Sequence, residues 1–118
     1  MIRLELLFVL ACLFLMALAF SNNERPIALN ISSHIAYAPA TIRILVRVHP
    51  LPTDRLITVG IDNGDFRRVS EWTIEPDRTL YDVLWKDLPA GDYDVEGLIG
   101  GYGQIRATAT DRVNVIAP

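Results

Sequence analysis

Cysteine is nearly absent. Cys12 is the only one in 118 residues, and it lies in an apolar N-terminal stretch. From about Phe20 onward the chain therefore has no disulfide and no thiolate chemistry. Lysine is nearly absent as well: Lys86 stands alone, and no basic run occurs. The formal net charge is −3, and removing Arg3 and Glu5 together leaves it unchanged. That balance argues against a nucleic-acid partner, which would favour clustered lysine and arginine. His34 and His49 are too few and too far apart in sequence for a zinc set. Ser32, Ser33 and Ser70 occupy no G-x-S-x-G elbow or other recognisable nucleophile setting. Internal repeats and low-complexity tracts are lacking. These absences predict no catalysis, no cofactor and no metal.

What is present starts with an apolar leader. Met1-Ile2-Arg3 is positively charged, Leu6 to Phe20 is almost unbroken apolar, and Ala17-Leu18-Ala19 supplies the small residues of a cleavage site. A charged start, a short apolar run and an A-x-A end make a secretory signal peptide over residues 1–20. The run falls short of the roughly 20 residues that span a bilayer, so an uncleaved membrane anchor is the second reading. Val9-Leu10-Ala11-Cys12 partly resembles a lipoprotein box, but a long apolar remnant would follow Cys12, which reads as filler. Residues 21–26 form a short polar linker, and residues 27–118 one domain. The chain is expected to be exported, to the periplasm, the cell surface or the medium. It would meet the membrane only through residues 1–20 if the leader is kept.

The domain alternates in short bursts, as half-buried strands do. In Thr41 to His49, Ile42, Ile44, Val46 and Val48 share one face, and Arg43, Leu45, Arg47 and His49 the other. Arg55 to Asp62 puts Ile57, Val59 and Ile61 together. Asn63-Gly64 between apolar runs is a strong hairpin signal. Asp62-Asn63-Gly64-Asp65 lacks the spacing and terminal Glu of a calcium loop. Val69 to Ile74 carries Trp72 and Ile74 on one face, and Thr79 to Lys86 groups Tyr81, Val83 and Trp85. Tyr93, Val95, Gly97 and Ile99 form the inward face of the next strand, and Gly100 to Gly103 a flexible tip. Gln104 to Ile116 is the last strand. Ile105, Ala107, Ala109, Val113 and Val115 share one parity, the expected inward one. Asp111 shares it too, and a buried unpaired carboxylate is costly, so a bulge is expected near Thr110 to Arg112. Ile27 to Ile35 is the first strand. About seven short strands with regular turn signals predict an all-β antiparallel sandwich, preceded by the signal-peptide helix.

Leu88-Pro89-Ala90-Gly91-Asp92-Tyr93 resembles the L-x-x-G-x-Y corner of immunoglobulin-like and fibronectin type III sandwiches. The resemblance implies that Leu88 enters the core, that Gly91 makes the turn, and that Tyr93 opens strand F. Its ring would fill the end of the core while its hydroxyl bonds backbone a few residues upstream. The chain departs from the antibody type: the cysteines of strands B and F and the tryptophan of strand C are missing, with Trp85 supplying bulk instead.

Charges on the outer faces pair across strands in this arrangement. Asp94 and Glu96 would face Arg106 and Arg112, while Arg43, Leu45 and Arg47 would face Leu80, Asp82 and Leu84. Alternating strand direction gathers the loops around His49, Glu75 to Arg78 and Tyr102 at one end. A tyrosine held between glycines suits recognition. Tyr102, with His49, Leu51 and Arg78, is the candidate partner-binding patch. The irregular strand Val69 to Ile74 is a candidate free edge for β-addition. The function expected is a protein-interaction or structural module, its protein partner not identified by the sequence. The alternative is a carbohydrate-binding module, which needs Trp72, Phe66 and Tyr81 on an outward platform. Asn30-Ile31-Ser32 is a glycosylation sequon.

Overall fold

The computed structural model describes residues 25–118, which form eight strands and no helix. They are β1 (Ile27–Ile31), β2 (Ile35–Tyr37), β3 (Ala40–Val48), β4 (Leu56–Asp62), β5 (Arg67–Thr73), β6 (Leu80–Leu88), β7 (Gly91–Gly101) and β8 (Gln104–Ile116). The signal peptide expected over residues 1–20 and most of the linker lie outside the described residues. No described helix is long and apolar enough to cross a membrane.

Two sheets carry the strands. One has the order β1-β3-β6 and the other β2-β8-β7-β4-β5. Alternation dictates which faces meet. Ile42, Ile44, Val46 and Val48 of β3, Ile57, Val59 and Ile61 of β4, and Tyr93, Val95 and Ile99 of β7 are all buried. Their intervening neighbours are mostly exposed or half-buried. Tyr81, Trp85, Val113 and Val115 complete the core, and Val83 is half-buried against it. A one-residue slip of any of these strands would turn its apolar set to water.

The sequence expectation of seven antiparallel strands needs correction. The first strand is two, in different sheets, and β2 runs parallel to β8. Serine chemistry causes the break. Ser32 N–H donates to the Arg43 carbonyl at 2.9 Å, and Arg43 N–H donates back to Ser32 Oγ at 3.0 Å. That local exchange ends the β1 ladder. Beyond it, the His34 carbonyl accepts from Asn114 N–H at 2.8 Å, on the other sheet.

Two bulges also break the simple period. In β6 the register shifts between Ala40 and Ile42 of its partner, and Asp87 has a φ of 58°. Lys86 and Asp87 are therefore both exposed, and Leu88 is buried although its parity opposes Tyr81 and Trp85. In β8 the shift lies opposite Ile99/Gly100, with Arg106 as the extra residue. The bulge expected at Thr110 to Arg112 is absent, since β7 and β8 stay in register there. Asp111 does face inward, but it is half-exposed and has a partner: His34 Nε2 lies 3.0 Å from its Oδ2. The cost that would have forced a bulge is met by a side chain from the β1–β2 crossing.

The corner motif closes the opposite end from the candidate patch. Tyr93 Oη donates to the Pro89 carbonyl at 2.6 Å. Phe66 meets the Tyr93 ring edge-on, with centroids 6.2 Å apart. Burial pushes the Tyr93 hydroxyl above its ordinary pKa, so it stays a donor. Gly91 has a φ of 155°, which side chains rarely adopt, and a Cβ there would also come within 2.8 Å of Asn63 Nδ2. In the Asn63 turn, Asn63 Oδ1 accepts from Asp65 and Phe66 N–H, and Asp62 Oδ1 accepts from Gly64 N–H. The oxygens serve the hairpin.

Candidate functional site at the loop end

The β3–β4 loop, the β5–β6 loop and the β7–β8 tip lie at one end, as strand alternation requires. The tip is tighter than the sequence suggests. Both strands run on through Gly101 and Gln104, leaving Tyr102-Gly103 as the turn, with a φ of 74° at Gly103. Tyr102 is 72% exposed, and Leu51 is also exposed.

Sequence reasoning missed what holds these loops. Asp54, in the β3–β4 loop, is the one buried charged residue among those described, its side chain 2% exposed. Arg106 reaches it from the β8 bulge. Arg106 Nε donates to both carboxylate oxygens at 3.0 Å, and Nη2 donates to Oδ2 at 2.6 Å. The same Nη2 donates to the His49 carbonyl at 3.2 Å. Leu51 N–H donates to Asp54 Oδ2 at 2.8 Å, and Asp54 N–H returns to the Leu51 carbonyl at 2.9 Å. Arg55 N–H donates to the Gly100 carbonyl at 2.8 Å. The loop from His49 to Arg55 is thus stapled to the root of the tip. Charge-assisted bidentate geometry makes this pair stronger than a neutral hydrogen bond.

The bulge makes the staple possible. It adds one residue to β8, which re-aims Arg106 toward the loop and turns Ile105 outward. Ile105 is 65% exposed. It borders a shallow apolar cleft of about 290 Å³ lined also by Leu56, Leu98, Ile99 and Gly101. The expected pairing of Arg106 with Asp94 or Glu96 is wrong, because the β7–β8 register sets Glu96 opposite Thr110 and Asp94 opposite Arg112, whereas Arg106 lies further along, beside Ile99 and Gly100. Arg112 does reach Asp94, at 3.3 Å, and Arg43 reaches Asp82 at 2.8 Å. Both pairs are solvated and worth little.

Of the four candidate residues, His49 and Leu51 are tied to the tip that bears Tyr102. Arg78 is engaged elsewhere. Its guanidinium sits 4.3 Å from the centroid of Tyr81, Nε donates to the Leu80 carbonyl at 3.0 Å, and Nη1 lies 3.8 Å from Glu75. The Val48 N–H to Thr79 carbonyl bond, 2.9 Å, keeps its loop beside His49. The rings that a sugar platform would require face the core side. Trp72 lies 5.8 Å from Tyr81, Trp85 is buried, and Phe66 packs on Tyr93. Val69 is exposed on β5, which is an edge strand as expected.

The staple has a pH signature. The hydrogen bond from Arg106 holds Asp54 below its ordinary value of 3.8, against the opposing effect of burial. The His34 hydrogen bond likewise holds Asp111 low. A carboxylate depressed in the folded state adds stability above its unfolded pKa, and that stability is lost as pH falls through the folded value. Urea midpoints should therefore hold from pH 7 to about pH 5 and fall steeply below pH 4. Asp54→Asn should flatten that acid limb. An unchanged slope in the variant would contradict the assignment.

No protein-family model matches this chain, and no curated protein is significantly similar to it.

Proposed function

We propose that the chain is an exported, non-catalytic interaction module of the immunoglobulin-like or fibronectin type III-like class, binding a protein partner through its loop end. The class is supported by the strand order, with the first, third and sixth strands in one sheet and the last two beside the fourth and fifth in the other. The Tyr93–Pro89 corner supports it too. Export is supported by the charged start, apolar run and A-x-A end of residues 1–20.

One observation carries the binding role. Two exposed apolar side chains, Tyr102 and Ile105, stand on a tip that a buried ion pair ties to the neighbouring loop. Loops on a rigid frame are where such folds recognise partners, and a tyrosine brings large contact area at low entropic cost. The glycan alternative lacks this kind of support. The two most exposed tyrosines, Tyr37 and Tyr102, lie at opposite ends and make no common platform.

Crosslinking from the native envelope or medium should recover a defined protein. Tyr102→Ala should then weaken binding to it by at least about tenfold, as loss of an anchoring residue does, with an unchanged melting temperature. Equal affinity of the variant, or recovery of glycans in place of a protein, would refute the reading.

A further inference from the structure

Gly60 is a glycine that the fold does not need. Gly64, Gly91 and Gly103 take positive φ, and a Cβ at Gly97, Gly100 or Gly101 would lie within 3.3 Å of a neighbouring atom. At Gly60 neither holds. A Cβ there would meet only Val69 Cγ2 at 3.5 Å and the Arg68 carbonyl oxygen at 3.6 Å, which are ordinary contacts. Strand β4 stays in register with β5 and β7 along its whole length, so no bulge requires it either. Glycine weakens a strand, and its remaining use inside one is to let another molecule come close.

Gly60 floors a groove of about 610 Å³ on the outer face of the five-stranded sheet. Val69 stands beside it on β5, and Glu96 stands opposite it on β7. Thr58 and Leu98 line this groove and also the apolar cleft beside Ile105. The two hollows are therefore continuous, apolar toward the loop end and acidic beyond. The acidic part holds the carboxylates of Asp62, Asp92, Asp94 and Glu96 against the one guanidinium of Arg67. Asp62 is opposite Arg67 in the ladder, and Asp94 lies 3.3 Å from Arg112. Glu96 and Asp92 have no ion-pair partner among the described residues. The acidic groups are spread out: among the described residues no three could hold one metal ion.

We propose that this groove receives an extended segment of the protein partner, with a lysine or arginine side chain over Gly60 and an aliphatic side chain in the cleft beside Ile105. The inference names the chemistry of the partner proposed above and rests on that reading. Charge complementarity selects the basic residue, since Glu96 faces the bare floor without a cation. A long basic side chain also lays its stem along apolar surface while its head stays polar, and Val69 and Leu98 flank the floor for that purpose. Spacing selects the pattern. Leu56, in the cleft, is four residues along β4 from Gly60, about 13 Å at strand rise. An extended segment spans that with four of its own residues, so the aliphatic and basic residues stand at i and i+4.

The probe is an acetylated pentapeptide amide with leucine first, lysine last and three serines between. It is titrated into the isotope-labelled chain, recovered in the form its producing cell makes, and followed by amide chemical shifts. Gly60, Val69, Glu96 and Leu98 should shift together, with half-saturation at about 1 mM. A glutamate in place of the peptide lysine, or Glu96→Gln in the chain, should weaken binding at least about fivefold. Acetyl-lysine amide alone should also bind more weakly. Gly60→Val should abolish the shifts with a melting temperature no lower than wild type. Absence of shifts, indifference to either charge change, equal binding of acetyl-lysine amide, or a destabilised Gly60→Val would each overturn the proposal. Tyr102→Ala should leave the shifts at Gly60 and Glu96 in place. Peptide binding alongside a partner indifferent to Tyr102 would thus sink the loop-end reading alone, and a Tyr102-dependent partner without peptide binding would sink this one alone.

Discussion

Arg106→Ala is expected to lower unfolding free energy by about 3 kcal/mol, the lower part of the range for breaking a buried pair. Asp54 sets the magnitude. Its side chain is 2% exposed, and without the guanidinium the carboxylate keeps only the Leu51 N–H. Arg106 itself is 28% exposed, so the pair is not fully desolvated and the upper range is not reached. For a domain of this size the melting temperature should fall by roughly 12–24 °C. Asp54→Ala should cost less, because the released guanidinium regains water. The double variant should cost less than the sum, with a coupling of about 1 kcal/mol or more. Arg106→Lys should not restore stability, since an ammonium cannot span both carboxylate oxygens. Urea denaturation of the wild type and these four variants checks each statement. Strict additivity would mean that the contact contributes nothing.

Gly100→Ala should be nearly as damaging, by about 3 kcal/mol. A Cβ at Gly100 would lie 1.9 Å from the Gln104 carbonyl oxygen and 3.0 Å from Arg106 N. Both neighbours are backbone, so no rotamer relieves the clash. The β7–β8 register must open where Gly100 opposes Ile105. Opening it moves Arg106 away from Asp54 and disturbs the Gly100 carbonyl that accepts from Arg55 N–H. The variant should therefore lose the acid limb ascribed to Asp54 along with its stability. A melting temperature within a few degrees of wild type would mean that the bulge is not needed.

The residues differ in how far they reveal themselves. Alternation in β3, β4 and β7 is a local signal, because a pleated strand repeats every two residues, and the core follows from it. The corner is local too: Tyr93 bonds a carbonyl four residues back. Bulges break that period, so Leu88 and Ile105 sit where parity alone misplaces them. Gly100-Gly101 beside a hairpin was the available hint, since glycine in a strand often marks a bulge. The Asp54–Arg106 staple joins residues 52 apart and His34–Asp111 residues 77 apart, and no periodicity links either pair. For Asp111 the energetic problem was legible and its solution was not. The split of the first strand turned on Ser32 bonding backbone, which competes with strand formation without any apolar signature.

Amide hydrogen exchange tests the central claim most directly, namely that Arg106 fixes the loop beneath the tip. The N–H groups of Leu51, Asp54 and Arg55 donate to Asp54 Oδ2, the Leu51 carbonyl and the Gly100 carbonyl. In the native protein they should exchange slowly, with protection approaching that of the β4 core amides, and Arg106→Ala should release all three together. Exchange at unstructured-loop rates in the wild-type protein would contradict the account.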